Sequence, residues 1–548
     1  SLSITSFFYY FVVCFFGITK EIIYVYSLLL VLLFFLIKRN SFIQLFSGIK
    51  EFKLNKAKLD ASKVPELVSL FILVFVLFFA GFSIPLNKIV NYDDSSYHLP
   101  IIYDIAEDGK KTFFSETHNI YQVRSNQFPL LFESFVGTTK FFLGSIFFWW
   151  VSFFSLILSL FLIYFIGKEI GYNELYSLVI YGLTPFVLVF SGYFGVENFL
   201  SLFFLASVFF VLKYVKGDNL FFLGVAGFCS GLMFLTKFTG GIFFVGLLLF
   251  LLFKKKFKPA LFFTLIFVLV SSIFFVMHFT VPIGQESVGG YGELAKENFT
   301  EKILVNAFFA AERLFSYFAS NFYIFFVPIL FFFGLFWRKN NEKNFIFLLL
   351  ISGFSLLSVT LVSNATPTYS GFPRYFWPVY SLLCIFSGIQ LKKISCLQDK
   401  RISVFFGVLF VLIMLSVSIP LIQHFGPKHK QNTSTYVGKG IENDSNITVW
   451  FLNNASLHVR LDKVVAYDFA WRTDFFGDPC EFLQKHDIDY VVYYKIDNDS
   501  DNLAGSPDYL GDFGLKLRED LLNGKCSELI SKSDPLNNAS TFKITHKT

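Results

Sequence analysis

The feature that most constrains this chain is a series of long, nearly uninterrupted apolar runs. The runs lie at 5–18, 22–37, 67–85, 141–166, 175–192, 197–212, 219–235, 240–253, 260–280, 321–337, 345–363, 377–391 and 403–421. Because a helix needs roughly 20 apolar residues to cross the hydrocarbon core of a bilayer, the pattern predicts a polytopic α-helical membrane protein with about 13 transmembrane helices. Hydrophobic residues make up 54% of the 548, which excludes an ordinary soluble globular protein.

Lys and Arg are concentrated in some of the loops between these runs. The lysine- and arginine-rich loops are 37–63, 212–218, 254–258, 337–344 and 391–401. The positive-inside rule predicts that these loops are cytoplasmic, so the basic residues do not indicate nucleic-acid binding. The segments then predicted to lie outside are 86–140, 281–320, 364–376 and 423–548.

The composition changes at the end of the last apolar run. We therefore predict a transmembrane domain over 1–422 and an extracytoplasmic domain over 423–548. Within the second, β-branched and aromatic residues predict short strands at 447–453, 463–468 and 489–496. Asp478 and Pro479 predict the start of a helix between the last two strands, and the whole reads as a small α/β domain.

Two of the six cysteines, Cys480 and Cys526, lie together in this outer tail. Disulfides form in oxidising compartments, so the two are the candidates for a disulfide. Their spacing alone does not establish that they are close in space.

An acidic pair, Asp93–Asp94, follows the third apolar run in the string "NYDDSSYHLP". Adjacent carboxylates repel, which can raise the pKa of one of them and make it a general base. The alternative is a hydrated turn, since Asn, Asp and Ser all favour turns. His98, in the same string, could bind a metal or a phosphate, or simply pack at the interface.

The order of a span, "DDxxYHLP" and interfacial helices in the outer loop 86–140 resembles the first outer loop of the GT-C superfamily of membrane glycosyltransferases. Within it, the chain is similar to the protein O-mannosyltransferase and aminoarabinose-transferase branch. The resemblance implies a multi-span body with an extracytoplasmic C-terminal domain. It also implies sugar transfer involving a polyprenyl-phosphate carrier, with Asp94, then Asp93, as the catalytic base and with Tyr97 and His98 beside the substrate.

Glu197 and Lys237 fit the same resemblance. Glu197 begins an apolar run after a glycine-containing turn, where many members of the superfamily have a second acidic residue, so the resemblance implies that Glu197 is a further catalytic residue. Lys237 stands in an "LTK" context that is common among relatives, and the resemblance implies that it binds the carrier phosphate together with Arg374. A lysine among apolar residues is costly unless it is paired, so Lys237 needs an anionic partner or must extend to the membrane surface.

Arg374 and Tyr375 open the string "RYFWPVY", which resembles an element near the phosphate site of these enzymes. The arginine fork suits a phosphate, and Tyr375 or Tyr380 can add a hydroxyl, although interfacial Arg and Tyr also anchor helices without a ligand. The sequence does not identify a set of metal ligands, and no cofactor is certain. A divalent cation stays open as a possible cofactor.

These observations predict a glycosyltransferase that moves a sugar from a polyprenyl-phosphate donor at the extracytoplasmic face of a membrane. A prokaryotic plasma membrane is the favoured location and the ER membrane the alternative. The acceptor (a protein, a glycolipid or a polysaccharide) is left open. Two other functions stay open: a GT-C-like subunit without catalysis, and a transporter of lipids or solutes, for which intramembrane charges would line a pathway.

Overall fold

The structure of the chain is a computed structural model. It describes residues 2–29, 64–87, 98, 101–102, 105–106, 109–110, 129–144, 147–170, 175–192, 196–280, 353, 372–395, 400–425, 448–452, 465–467, 478–485, 489–494, 511–532 and 539–545. A helical bundle comes first along the chain and a β-sheet with two short helices follows.

The bundle is built from apolar helices. In chain order they are α1 (Leu2–Phe15), α2 (Val64–Asn87), α3 (Leu131–Leu143), α4 (Val151–Ile170), α5 (Leu175–Gly182), α6 (Pro185–Phe190), α7 (Glu197–Gly217), α8 (Leu220–Thr236), α9 (Gly240–Phe253), α10 (Phe257–Thr280), α11 (Phe372–Ser395) and α12 (Lys400–Phe425). Residues 20–29 are also helical. Within the described residues, four segments are long and apolar enough to cross a membrane: Leu67–Ile84, Val151–Ile170, Glu197–Gly217 and Phe257–Val276.

Two apolar runs that looked continuous in the sequence are interrupted. The run 141–166 contains the end of α3, where Gly144 adopts a φ of 82° that favours glycine and stops the helix. The run 175–192 divides into α5 and α6, because Pro185 has no N–H and disfavours helical backbone in the residue before it. The prediction of about 13 spans extends over residues outside those described, and stays a prediction.

Small residues allow α8 to pack closely against α10. A Cβ placed on Gly227 would lie 2.9 Å from the Phe263 carbonyl oxygen, and one on Gly231 would lie 2.5 Å from the Val270 Cβ. Such spacing of glycines lets membrane helices approach until their backbones nearly touch. Helix α9 also packs on α10 through aromatic stacking, with the ring centroids of Phe244 and Phe267 3.7 Å apart and their planes at 8°.

Helices α7 and α8 form a hairpin that defines the two ends of the bundle. The hairpin turns at Asp218, which is left-handed, and at Asn219, whose side chain accepts a hydrogen bond from the Phe221 N–H. At 1.5 Å per residue, α7 separates its ends by about 30 Å, which is the thickness of the hydrocarbon core. The open end of the hairpin holds Glu197 and Lys237, and we call it the carboxylate end.

The other end of the hairpin is rich in lysine. It comprises the last turns of α4 and α7 and the connection from α9 to α10. Its lysines are Lys168, Lys213, Lys216, Lys254, Lys255, Lys256 and Lys258, and we call it the lysine end. Most of these residues belong to loops that the charge pattern predicted to be cytoplasmic.

The C-terminal part forms a mixed five-stranded sheet of order β2-β1-β3-β5-β4. The elements are β1 (Thr448–Leu452), β2 (Val465–Tyr467), α13 (Pro479–Lys485), β3 (Tyr490–Tyr494), α14 (Gly511–Leu522), β4 (Ser527–Lys532) and β5 (Ala539–Ile544). β1 pairs in parallel with β2 and β3, whereas β5 pairs antiparallel with β3 and β4. The three strands and the helix expected from the sequence are all present.

A disulfide and an ion pair join α13 to the start of β4. Cys480 and Cys526 are disulfide-bonded, with their Cα atoms 5.8 Å apart. Next to them, the Lys525 ammonium lies 2.8 Å from Asp478 and 3.4 Å from Asp520. The Lys525 charge holds the pKa of the Asp478 carboxyl at about 2, below its usual range.

Candidate active site

A buried ion pair stands at the open end of the α7–α8 hairpin. Lys237 Nζ donates to Glu197 Oε1 at 3.1 Å, and the two side chains are 25% and 4% exposed. Glu197 lies in the first turn of α7, where the positive end of the helix dipole also favours a carboxylate. A buried lysine among apolar helices needs such a partner, and Glu197 is the anion that the sequence had left unnamed.

The turn that carries Lys237 is held by backbone contacts. Lys237 ends α8 in an extended conformation, and its carbonyl accepts a hydrogen bond from the Gly240 N–H at 2.8 Å. A Cβ on Gly240 would lie 2.4 Å from the Met233 carbonyl oxygen, so only glycine fits there without a shift. The tight turn therefore fixes the point from which the Lys237 side chain extends.

A second buried acid–base pair joins His98 to Glu133. His98 Nδ1 lies 2.5 Å from Glu133 Oε1, and both side chains are almost fully buried. Glu133 lies in the first turn of α3, and its second oxygen, Oε2, has no hydrogen-bond partner among the described residues. Glu133 is not among the site residues predicted from the sequence. The sequence signal that could have identified Glu133 is a single acidic residue in the first turn of a mostly apolar helix.

Aromatic contacts place the two pairs in the same region. Phe132, next to Glu133, packs edge-on against His98 and also against Phe199, at centroid distances of 6.4 and 5.5 Å. Phe199 is two residues after Glu197 on α7. His98–Glu133 and Glu197–Lys237 therefore both belong to the carboxylate end.

Hydrogen bonds also bring the start of α11 to this end. Trp377 Nε1 donates to the Tyr181 hydroxyl at 2.9 Å, and that hydroxyl lies 3.2 Å from Ser201 Oγ. Ser201 is one turn after Glu197 on α7, and Trp377 is about one turn after Arg374 on α11. The backbones of Arg374 and Tyr375, in the first turn of α11, are thus level with the start of α7. Their side chains lie outside what the structure describes.

Two more helix ends meet at the same level. Asn198 Nδ2, in the first turn of α7, donates to Ser152 Oγ in the first turn of α4 at 3.3 Å. Trp150 Nε1, just before α4, donates to the Gly81 carbonyl near the end of α2 at 2.8 Å. Helix α2 ends at Asn87, six residues before Asp93. Asp93, Asp94 and Tyr97 themselves lie outside the described residues, and their roles stay predictions.

Within the described part of the chain, one group of side chains is spaced closely enough to share a cation. It consists of Asp478, Cys480 and Asp520, whose ligand atoms lie within 4.8 Å of one another. Cys480 is committed to the disulfide, and Lys525 already neutralises both carboxylates. This group does not suit a metal, and the possible divalent cation of the bundle stays a prediction.

Comparison with known families gives a match over the centre of the bundle. Residues 143–279 match the family described as dolichyl-phosphate-mannose-protein mannosyltransferase. The matched segment contains both Glu197 and Lys237, but neither the segment around His98 nor Arg374. No curated protein matches the sequence significantly.

Solved structures give a match over most of the chain. The archaeal oligosaccharyltransferase AglB from Archaeoglobus fulgidus, in complex with an inhibitory peptide and a dolichol-phosphate, has a TM-score of 0.53 at 12% identity, covering 86% of this chain and 74% of that one. ArnT from Cupriavidus metallidurans, bound to undecaprenyl phosphate, has a TM-score of 0.53 at 11% identity. Its apo state gives 0.54 at 12%, and both ArnT matches cover 86% of this chain and 97% of theirs.

The matched family and these neighbours are glycosyltransferases of the GT-C type, and they are integral membrane proteins. At such low identity the neighbours establish the fold. The predicted resemblance is thereby confirmed, and the predicted enzyme class, glycosyltransferase, is confirmed at the level of family resemblance and fold. The chain has the GT-C glycosyltransferase fold, and its residues 143–279 carry the sequence pattern of the protein mannosyltransferase family.

Proposed function

We propose that the chain transfers a sugar from a polyprenyl-phosphate-linked donor to an acceptor at the extracytoplasmic face of a membrane. The observation that carries the proposal is the buried Glu197–Lys237 pair, held at a bundle end where the start of α11 also lies. The neighbours with bound dolichol-phosphate and undecaprenyl phosphate support a carrier of this chemistry. The carboxylate end is the extracytoplasmic one, because the lysine end follows the positive-inside rule.

Lys237 is the group that contacts the carrier phosphate. An ammonium has three N–H donors, and a quarter of this side chain is exposed while Glu197 holds it in place. Glu197 is therefore a positioning residue, which holds the lysine side chain in place in an apolar surrounding. Arg374, one turn before the Trp377 anchor of α11, supplies a second cation to the same phosphate, and Tyr375 a hydroxyl.

Asp94 is the general base, with Asp93 as the second candidate. Asp94 precedes His98 by four residues, so covalent geometry limits the distance between their Cα atoms to about 14 Å. The His98–Glu133 pair therefore ties the segment that carries the acidic pair to the start of α3. His98 and Glu133 act as positioning residues in this scheme, and Tyr97 lies beside the substrate.

The chemistry is a displacement at the anomeric carbon. The carboxylate of Asp94 takes the proton of the acceptor group, whose freed electron pair forms the new bond to the anomeric carbon. The bond from that carbon to the phosphate oxygen breaks, and the carrier phosphate leaves with the electron pair. Lys237 and Arg374 stabilise the charge that develops on the phosphate.

The test uses the full chain purified into lipid nanodiscs. Radiolabelled polyprenyl-phosphate mannose and polyprenyl-phosphate arabinose serve as donors, and a membrane fraction serves as the source of acceptor. We expect label to appear in the acceptor fraction and transfer to fall at least about a hundredfold in Asp94→Asn. Wild-type transfer in both Asp93→Asn and Asp94→Asn would exclude the proposed base.

A binding measurement separates the phosphate site from the chemistry. Native mass spectrometry with undecaprenyl phosphate is expected to show binding that is reduced in Lys237→Met and unchanged in Lys20→Met. Lys20 is an exposed lysine outside both the Glu197–Lys237 pair and the lysine end, so it controls for the loss of one charge. Binding without transfer from any donor would favour the subunit without catalysis, and equal binding by all three proteins would contradict the site.

A further inference from the structure

The lysine end carries more positive charge than its own acids can balance. Among its described residues, seven lysines face two carboxylates, Glu169 and Asp218, which leaves an excess of five positive charges. Glu169 is held by Lys213 at 2.6 Å and by Lys216 at 3.2 Å. Asp218 is held by Lys256 at 2.7 Å. Both acids are thus already engaged.

The excess charge is concentrated on one turn. Three consecutive lysines, Lys254 to Lys256, connect α9 to α10, and Lys258 follows in the first turn of α10. Lys255 has a φ of 58°, a left-handed conformation that costs energy in any residue with a Cβ. Lys255 and Lys258 are exposed and make no ion pair within the residues that the structure describes.

The position of this turn decides what can bind there. The apolar spans of α4, α7 and α10 all end or begin at the lysine end, so its ammonium groups lie at the level of the lipid headgroups. Phe253 and Phe257 flank the lysines and are 71% and 65% exposed. The exposed phenylalanine rings suit the acyl-chain layer of one leaflet, and the lysine ammonium groups suit its phosphate layer.

We infer that the lysine end is a binding site for the phosphate headgroups of anionic phospholipids. The site binds a negatively charged phosphodiester, with Lys255 and Lys258 as its principal contacts and Phe253 and Phe257 against the upper acyl chains. Lys256 is not available in the same way, because Asp218 and the Tyr214 ring, 6.0 Å away, hold it. A zwitterionic lipid carries no net charge to balance the excess, so the site selects anionic lipids.

The experiment is native mass spectrometry of the full chain in detergent with either phosphatidylglycerol or phosphatidylcholine. We expect the wild type to prefer phosphatidylglycerol, and the Lys255→Gln/Lys258→Gln variant to lose about tenfold in apparent affinity for it. The charge-matched control is Lys20→Gln/Lys110→Gln, two exposed lysines outside the lysine end, which should leave the preference unchanged.

Three outcomes would overturn the inference: equal affinity for the two lipids, a variant as selective as the wild type, or a control that loses the same tenfold. A further arm of the experiment adds inorganic phosphate as a competitor. Full displacement of phosphatidylglycerol by millimolar phosphate would assign the site to free anions instead of lipids. Retained binding supports the lipid assignment. Both variants change exposed side chains, and circular dichroism verifies that they remain folded.

Discussion

The two ends of the bundle use the same kind of interaction in opposite surroundings. At the carboxylate end, Glu197 and Lys237 are mostly buried, and the His98–Glu133 pair is almost fully buried. At the lysine end, Lys216 is 71% exposed and Asp218 is 67% exposed, whereas Glu169 is 9% exposed. Ion-pair distances are similar, between 2.5 and 3.2 Å, so geometry does not distinguish the two ends. Solvent does.

That difference separates rigid charges from adaptable ones. A buried charge that loses its partner is strongly destabilising, so the carboxylate end must keep its pairs in one arrangement. An exposed pair contributes little and can exchange its partner for a lipid or an ion at small cost. The carboxylate end thus has fixed charges, as the proposed catalysis would require, whereas the charges of the lysine end can change partners.

The largest effect is expected from breaking the Glu197–Lys237 pair. Lys237→Met leaves a buried carboxylate without its cation and should lower the free energy of unfolding by about 3 kcal/mol. Thermal unfolding in detergent measures the change. Lys216→Met at the lysine end is the matched control, with an expected loss below about 1 kcal/mol.

The double variant Glu197→Gln/Lys237→Met sharpens this result. Because it removes both charges, it should be more stable than Lys237→Met alone. If the losses in the free energy of unfolding of the two single variants simply added up to that of the double variant, the pair would have no coupling energy. That result would contradict the contrast between the two ends.

The next effect concerns the His98–Glu133 pair. Glu133→Gln keeps the shape of the side chain but removes its charge, and should cost about 2 kcal/mol, within the range of a hydrogen bond to a charged group. A double-mutant cycle with His98→Asn measures the coupling between the two side chains. Transfer activity should fall in the same variants if the pair positions Asp94. Unchanged activity in a folded Glu133→Gln protein would remove Glu133 from the proposed mechanism.

A glycine at each end provides a comparison without charges. Gly240→Ala places a methyl group against the Met233 carbonyl and should cost about 1–3 kcal/mol, with a displaced Lys237 and weaker binding of undecaprenyl phosphate. A Cβ on Gly217, where α7 meets the lysine end, has nothing within 4 Å, so Gly217→Ala should be neutral or slightly stabilising. Equal losses in the two variants would contradict the tight turn.

Acid titration extends the comparison to an exposed pair in the C-terminal sheet. Because Lys525 lowers the pKa of Asp478 to about 2, the pair stabilises the fold above the ordinary aspartate pKa, and this contribution disappears as the pH falls through about 2. Unfolding followed by circular dichroism should therefore lose stability between about pH 4 and pH 2. Lys525→Met should flatten that part of the profile, and an unchanged profile would contradict the assignment.

The smallest effect is expected at the Asp218–Lys256 pair. Asp218→Asn should change the free energy of unfolding by less than about 0.5 kcal/mol, and 0.5 M salt should remove even that difference. A loss as large as that of Lys237→Met would show that burial does not separate the two ends.

Much of the bundle could be predicted from the sequence. Long apolar runs specify membrane helices through their length alone, and Lys-rich loops specify a common end. The requirement of an anionic partner for Lys237 followed from its apolar surroundings. Its identity did not, because Glu197 is 40 residues away and the pairing depends on how α7 and α8 align.

The remaining features depend on contacts or backbone angles that hydropathy does not encode. Gly144 and Pro185 interrupt apolar runs because of their own backbone preferences, which a count of apolar residues ignores. Glu133 resembled any loop acid in the sequence, since its burial results from α3 packing and from His98, 35 residues earlier. The residues of the acidic pair were selected by resemblance, and their part in the site stays a prediction.

The Cys480–Cys526 disulfide has a consequence for how the C-terminal sheet responds to proteolysis. It closes a loop of 46 residues that contains α13, β3 and α14. A protease that cuts once within this loop leaves two fragments that still migrate together on a non-reducing gel and separate only after reduction. A nicked chain can therefore keep its edge strand β4 attached to the sheet, and cleavage by itself would not release the end of the protein.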